Sequence, residues 1–283
     1  MRKGLLALLV AALISALSAA TANAADEMVA LGDSYAAGPL IPAPIPPFGC
    51  LKSSSNYGRL ASIQLGASPY RDATCSGAET EDMTAPQGVS PRPNPPQFDR
   101  LTPTTTLVTI TIGGNDIGFS GIAEDCFSQD NTGTPCQDRY VAPDGTDEIS
   151  QRIQATRPKV DAVLQGIRQR TSPTTQILVV NYAAILPEAP PYCWPVVPIS
   201  DGDAPYVSAK ERELNQMLAD SAAANGATVV DWYTASLAHN ACTPPGIKWV
   251  EGAVPTSAAA PLHPNLLGMT GAANLVVAAA NAG

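Results

Sequence analysis

Met28-Val29-Ala30-Leu31-Gly32-Asp33-Ser34-Tyr35-Ala36-Ala37-Gly38 is the stretch from which the rest of the chain can be read. Residues 28–31 form an uninterrupted apolar run, the pattern of a short buried strand. Gly32 permits a sharp turn after it, and Ser34 emerges at the strand's carboxyl end. In open α/β sheets, ligands gather outside the carboxyl ends of the strands. Ser34 is therefore a candidate nucleophile, provided that the chain also supplies a base and donors for an oxyanion.

Working outward, four more strands can be placed. Residues 69–73 are a weak second strand, running into Cys75-Ser76-Gly77-Ala78. Residues 105–112 alternate β-branched and apolar side chains and end in Gly113-Gly114-Asn115-Asp116, the clearest strand of the sequence. Residues 176–181 and 228–231 are the fourth and fifth. Helical spacing lies between them at 56–65, stopped by Gly66, and at 207–225, capped by Gly226. It recurs at 147–170, where Pro158 is expected to break or restart the helix, and in an alanine-rich terminal helix at 264–280. The proline-rich stretches 39–48 and 86–96 can be neither helix nor central strand. Residues 126–136 read as a polar, disulfide-closed loop.

Strands alternating with helices predict a flavodoxin-like three-layer α/β/α fold with a central, mostly parallel five-stranded sheet. In the strand order 2-1-3-4-5, Ser34, Gly77 and Asn115 leave neighbouring strand ends and share one crevice. No internal repeat or second domain is visible.

Met1-Arg2-Lys3 precedes a short apolar run and an Ala22-Asn23-Ala24 cleavage site, so residues 1–24 read as a signal peptide and 25–283 as one domain. Its removal moves the formal net charge from −9 to about −11. That balance argues against a nucleic-acid partner, offers no basic patch to anionic membranes and suits a soluble secreted monomer. Six cysteines behind a signal peptide imply three disulfides, taken here in chain order: Cys50–Cys75, Cys126–Cys136 and Cys193–Cys242. None has metal-site spacing, and with two histidines in the chain neither a metal nor an organic cofactor is expected.

Acyl transfer from an ester needs a nucleophile, a base and oxyanion donors. His263 is the candidate base, placed at a helix entrance with Pro264 at the first helical position. The candidate donors are the backbone N–H groups of Ser34 and Gly77 and the Asn115 carboxamide. His239, the other histidine, reads as structural or exposed, and Asp33 and Asp116 as braces of their own turns.

Taken singly these motifs are ordinary turns and helix starts. Taken in order, Gly32-Asp33-Ser34, Gly77, Gly113-Gly114-Asn115-Asp116 and His263-Pro264-Asn265 resemble the SGNH (GDSL) hydrolase superfamily, and in particular its secreted, three-disulfide bacterial lipase and esterase branch. The resemblance implies Ser34 as nucleophile, Gly77 and Asn115 completing the oxyanion hole, and His263 as base. Many members carry an aspartate three residues before the histidine, where this chain has Ala260. The resemblance implies a backbone carbonyl, of Ala260 or Pro261, in its place, with Asp231 as a second candidate.

The expected function is hydrolysis of fatty-acid carboxylic esters by a lipase or esterase, phospholipases included, through an acyl-enzyme on Ser34. The apolar loops 39–48 and 183–198, the latter with Tyr192 and Trp194, are expected to form the acyl groove. The alternatives are a carbohydrate acetylesterase on the same scaffold, or a secreted binding module without turnover.

Overall fold

Five strands stand side by side in the order β2-β1-β3-β4-β5: β1 Met28–Gly32, β2 Tyr70–Asp72, β3 Leu107–Thr111, β4 Gln176–Val180 and β5 Thr228–Val230. Every neighbouring pair is parallel, so the sheet is wholly rather than mostly parallel. These positions come from a computed structural model that describes residues 27–283; the signal peptide expected at 1–24 lies outside them. β1 and β3 are buried at every residue, which is why they read as continuous apolar and β-branched runs rather than as alternating ones.

The chain order of the strands dictates the layers. Moving from β1 outward to β2 and from β3 outward the opposite way to β4 requires crossovers of one hand, which places their helices on opposite faces. The short α1 (Ser34–Ala37) follows β1 directly, and α2 (Tyr57–Leu65) packs against the terminal α8 (Leu266–Ala282) on one face. On the other, α5 (Glu148–Arg170) packs against α6 (Ala204–Ala224). Two short helices, α3 (Phe119–Cys126) and α4 (Pro135–Tyr140), lie between β3 and α5, and α7 (Trp232–Ser236) follows β5.

Three details differ from the sequence reading. Helix α5 runs unbroken through Pro158. Pro158 and Gln154, whose carbonyl the ring strips of its partner, both lie on the solvent face, while Ile153, Val160, Leu164 and Ile167 hold the helix to the core on either side. The polar loop expected at 126–136 is present over 127–134, but the unexpected helices α3 and α4 flank it and take its two cysteines. Helix α8 begins at Leu266 rather than Pro264, because the Asn265 side chain caps it by accepting the N–H of Gly268 at 3.1 Å.

The disulfides join Cys50 to Cys75, Cys126 to Cys136 and Cys193 to Cys242. The first ties the segment after α1 to the end of β2, and the N–H of Cys75 donates to the carbonyl of Gly32 at 3.0 Å. The end of β1 is thus clamped from several sides. The Gln97 side chain, fully buried, donates to the Gly32 carbonyl at 3.0 Å and accepts its N–H at 2.7 Å.

Gly32 has φ +130°, and a Cβ there would lie 2.3 Å from the carbonyl oxygen of Thr111 on β3. Both the backbone conformation and the close approach exclude a side chain. Gly32→Ala is therefore expected to cost more than about 3 kcal/mol in denaturant unfolding, from strain and displacement of β3 together.

Candidate active site

The crevice at the carboxyl ends of β1, β3 and β4 is built from the Asp33-Ser34 turn outward. Asp33 N–H donates to Thr111 O at 3.0 Å, which locks the turn to β3. The Asp33 carboxylate caps α1 by accepting the N–H of Tyr35 at 2.9 Å. Ser34 is then the first residue of α1 and remains partly exposed at the crevice floor. Its hydroxyl lies 2.8 Å from His263 Nε2.

His263 arrives from the far end of the chain and is fixed by its own loop. Its Nδ1 sits 2.7 Å from the carbonyl of Pro261, and its N–H donates to the carbonyl of Ala260 at 3.1 Å. The Tyr35 hydroxyl donates to the carbonyl of Leu262 at 2.7 Å, and the Tyr35 ring lies 5.2 Å from the imidazole. Below the loop, Asn265 donates to the buried Glu251 at 2.7 Å, and Lys248, equally buried, lies 3.7 Å from the same carboxylate. Helix α1 and the loop carrying His263 therefore hold each other.

Of the two carbonyls proposed for the imidazole, Pro261 lies against Nδ1, while Ala260 takes the backbone N–H instead. Asp231 does not approach the histidine: it caps α7 through the N–H of Thr234 at 3.0 Å and accepts from Asn181 at 3.1 Å. Its place at the outer strand, β5, makes that unavoidable.

On the other side of Ser34, Asn115 donates one amide hydrogen to the carbonyl of Ala78 at 2.9 Å, leaving the second for a ligand. That bond joins the Asn115 turn to the Gly77 turn. Among the described residues, the backbone N–H groups of Ser34 and Gly77 have no hydrogen-bond partner. Asp116 braces this region by accepting the N–H and hydroxyl of Thr80, at 3.0 and 2.5 Å. His239 stacks on Trp249 at 4.4 Å, and its Nδ1 lies 2.8 Å from the carbonyl of Ile247, away from these groups.

Tyr182, one residue past Asn181 at the end of β4, was not singled out by the sequence, although its place at a central strand end could have flagged it. Its hydroxyl donates to the buried Asp33 carboxylate and accepts the N–H of Gly114 at 2.7 Å. A Cβ on Gly114 would lie 2.9 Å from that hydroxyl, so any side chain there would displace the phenol. One phenol thus couples the Asp33-Ser34 turn to the Asn115 turn. Burial pushes the Asp33 carboxyl up to about 7. Burial also moves His263 below the ordinary imidazole value, favouring its neutral form.

The crevice continues into a cleft walled by Ile117, Ile122, Ile149, Ile185, Val207 and Leu214. This corrects the expected acyl groove. Of loops 39–48 and 183–198, Ile185 alone of the wall residues named belongs to either. Residues 43–45 are held instead against 52–54, by Ile45 N–H to Lys52 O at 2.9 Å and Ser54 N–H to Ala43 O at 2.8 Å. Trp194 is turned aside to donate to Ser128 O at 3.3 Å.

The sequence pattern of the GDSL-like Lipase/Acylhydrolase family matches residues 30–270. The chain belongs to this GDSL-like lipase/acylhydrolase family. As a GDSL-like hydrolase it is a carboxylic ester hydrolase. It is 37% identical over 270 residues to Lipase 2 of Streptomyces coelicolor, a match covering 89% of this chain and 87% of that one. The solved extracellular lipase of Streptomyces rimosus superposes with a TM-score of 0.75 at 26% identity, over 90% of this chain and 100% of the other. The phospholipase A1 of Streptomyces albidoflavus shares the fold with the same TM-score at 24% identity, over 90% of this chain and 99% of the other.

Tyr182→Phe in this GDSL-like hydrolase removes the acceptor of a buried N–H and a donor to a buried carboxyl. It is expected to cost about 1–3 kcal/mol of stability and to lower kcat by roughly tenfold with KM nearly unchanged. Denaturant melts and steady-state ester kinetics on the same preparation check both.

Proposed function

We propose that the protein is a secreted, monomeric lipase or esterase, a single domain over residues 25–283, that hydrolyses fatty-acyl esters through an acyl-enzyme on Ser34. The observation that carries the reading is the chain Pro261 carbonyl, His263, Ser34, at 2.7 and 2.8 Å. A carbonyl oxygen can only accept, so Nδ1 carries the imidazole proton and Nε2 presents its lone pair to the serine hydroxyl.

The steps follow from that tautomer. Ser34 Oγ attacks the ester carbonyl carbon while its proton passes to His263 Nε2. The N–H groups of Ser34 and Gly77 and the second Asn115 amide hydrogen receive the developing oxyanion. As the tetrahedral intermediate collapses, the alkoxide leaves with the proton from Nε2. Water then gives a proton to Nε2, attacks the acyl-enzyme, and Ser34 recovers the proton as the acid departs. A carboxylate beside the ring would add roughly 4 kcal/mol of attraction to imidazolium at 4 Å and an effective dielectric near 20, before its own desolvation is subtracted. The Pro261 carbonyl supplies the orientation without that charge, and the low basicity of His263 keeps it a free base at neutral pH.

The apolar cleft supports fatty-acyl chains over the two-carbon acyl group of an acetylated sugar. The three disulfides, and the likeness to an extracellular lipase, support secretion. Among the described residues no helix is long and apolar enough to cross a membrane. The acidic balance supports a partner list without nucleic acid.

A fluorophosphonate probe is expected to add once to the purified protein, with no adduct on Ser34→Ala; an unmodified wild type that is folded would refute the activated serine. The acid limb of kcat/KM is expected to fall with a midpoint below 6.5, because burial holds His263 below its ordinary value. Asp231→Asn should leave kcat within about twofold, since that carboxylate caps α7 and does not touch the ring; a loss on the scale of ~10⁴ would make it the orienting group.

A further inference from the structure

The cleft beyond Ser34 holds an ionisable group that the reaction above does not use. Glu211 projects from the middle of α6 into the wall formed by Ile185, Val207 and Leu214, and is 8% exposed. Both its oxygens lie 3.2 Å from one donor, the N–H of Ile185. One N–H shared in this way leaves most of a carboxyl's bonding capacity unmet.

The charged neighbours on every element around it are otherwise engaged. Lys210, which also borders the cleft, is bound by Asp147 at 2.8 Å and Glu213 at 2.9 Å. Arg212 reaches Glu188 at 3.4 Å. Tyr35 of α1 and Tyr233 of α7 face Glu211 and are held neutral by burial, and Asp33 and His263 border the same cleft at its serine end. Burial pushes the Glu211 carboxyl up to about 8. Burial thus favours the carboxylic acid, in which one oxygen accepts the Ile185 N–H and the O–H, with no second partner among the described residues, borders the cleft beside Ile185, Val207 and Leu214.

Tethering Ile185 does not account for such a group. A glutamine would accept the same N–H, and a buried acid with an unanswered hydrogen is costly in a hydrocarbon-lined site. A site built to hydrogen-bond an oxygen discriminates strongly against an analogue that lacks it, because its own polar group is then left unpaired. This inference rests on the ester-hydrolase reading of the same crevice.

We infer that Glu211 is a specificity-determining residue, whose acid O–H selects ester chains carrying an acceptor oxygen, such as a keto, ether or second ester group, over plain alkyl chains of equal length.

The test uses p-nitrophenyl esters of straight-chain acids and their oxo analogues, with the ketone moved carbon by carbon, on the full mature protein at pH 6.5 and pH 9. At least one oxo isomer should exceed its parent in kcat/KM by about tenfold at pH 6.5, the worth of one hydrogen bond. Taking the ratio of oxo ester to parent cancels the titration of Asp33 and His263, which act on both alike. That ratio should collapse at pH 9 in the wild type, when the O–H is gone, and stay raised in Glu211→Gln, whose amide still donates. Glu211→Leu should reverse the preference; because it also strands the Ile185 N–H, the Glu211→Gln pH comparison stands without it. No oxo isomer exceeding its parent, or a preference that survives equally at pH 9 in the wild type, overturns the inference. Fluorophosphonate labelling of Ser34 runs alongside: normal labelling with no oxo preference removes the specificity claim alone, whereas a wild type that takes no label removes the hydrolase reading beneath it.

Discussion

A neutral carbonyl decides the chemistry of this crevice. Because the Pro261 oxygen can only accept, it fixes the proton on Nδ1 of His263 and leaves Nε2 as a base 2.8 Å from Ser34. The arrangement depends on holding one short loop rigidly, since a carbonyl lacks the Coulombic pull of a carboxylate. The fold supplies that rigidity from several directions. Leu262 has φ +58°, a left-handed conformation rare for leucine, and its carbonyl is held by Tyr35 from the nucleophile helix. Ala260 N–H donates to Pro39 O at 3.0 Å, and Glu251 N–H to His263 O at 3.0 Å. The His263 loop is thus braced against the helix that carries Ser34.

The same burial that shapes the crevice sets its charge state. Asp33 and Glu211 are pushed upward to about 7 and about 8, and His263 downward, all toward the neutral form. These shifts share one cause, loss of water around groups that would otherwise ionise. A weakened negative charge beside the serine suits a reaction that creates an oxyanion, since a fixed negative charge there would oppose it. The donors proposed for the oxyanion are backbone and carboxamide groups, already in place before any charge develops.

Much of this was legible because strand patterns and strand ends are local. The runs 28–31 and 105–112 are short, apolar or β-branched and bounded by glycine, so the sheet, its order and the gathering of Ser34, Gly77 and Asn115 followed. What escaped depends on partners far apart in the chain. Helix α4 is capped by Asp203, which accepts the N–H groups of Cys136 and Gln137 at 2.9 Å each, and no pattern within 126–136 announces it. Gln97 pairs with Gly32 across 65 residues, and Tyr182 with Asp33 across 149. Glu211 looks like any polar position of an amphipathic helix until the loop carrying Ile185 comes over it. The acyl groove was misplaced for a related reason: proline-rich apolar loops suggested a wall, while the cleft is made by aliphatic side chains spread over the turn before α3, α3 itself, α5, α6 and the residues after β4.

The claim on which the account turns is the tautomer of His263. Nitrogen-15 NMR of the selectively labelled imidazole at neutral pH measures it directly. The account predicts a protonated, pyrrole-type Nδ1 and an unprotonated, pyridine-type Nε2, with the Nε2 resonance moving in Ser34→Ala as its partner is lost. A proton on Nε2 with a bare Nδ1 would contradict it, because the Pro261 carbonyl could then not be the group that orients the base.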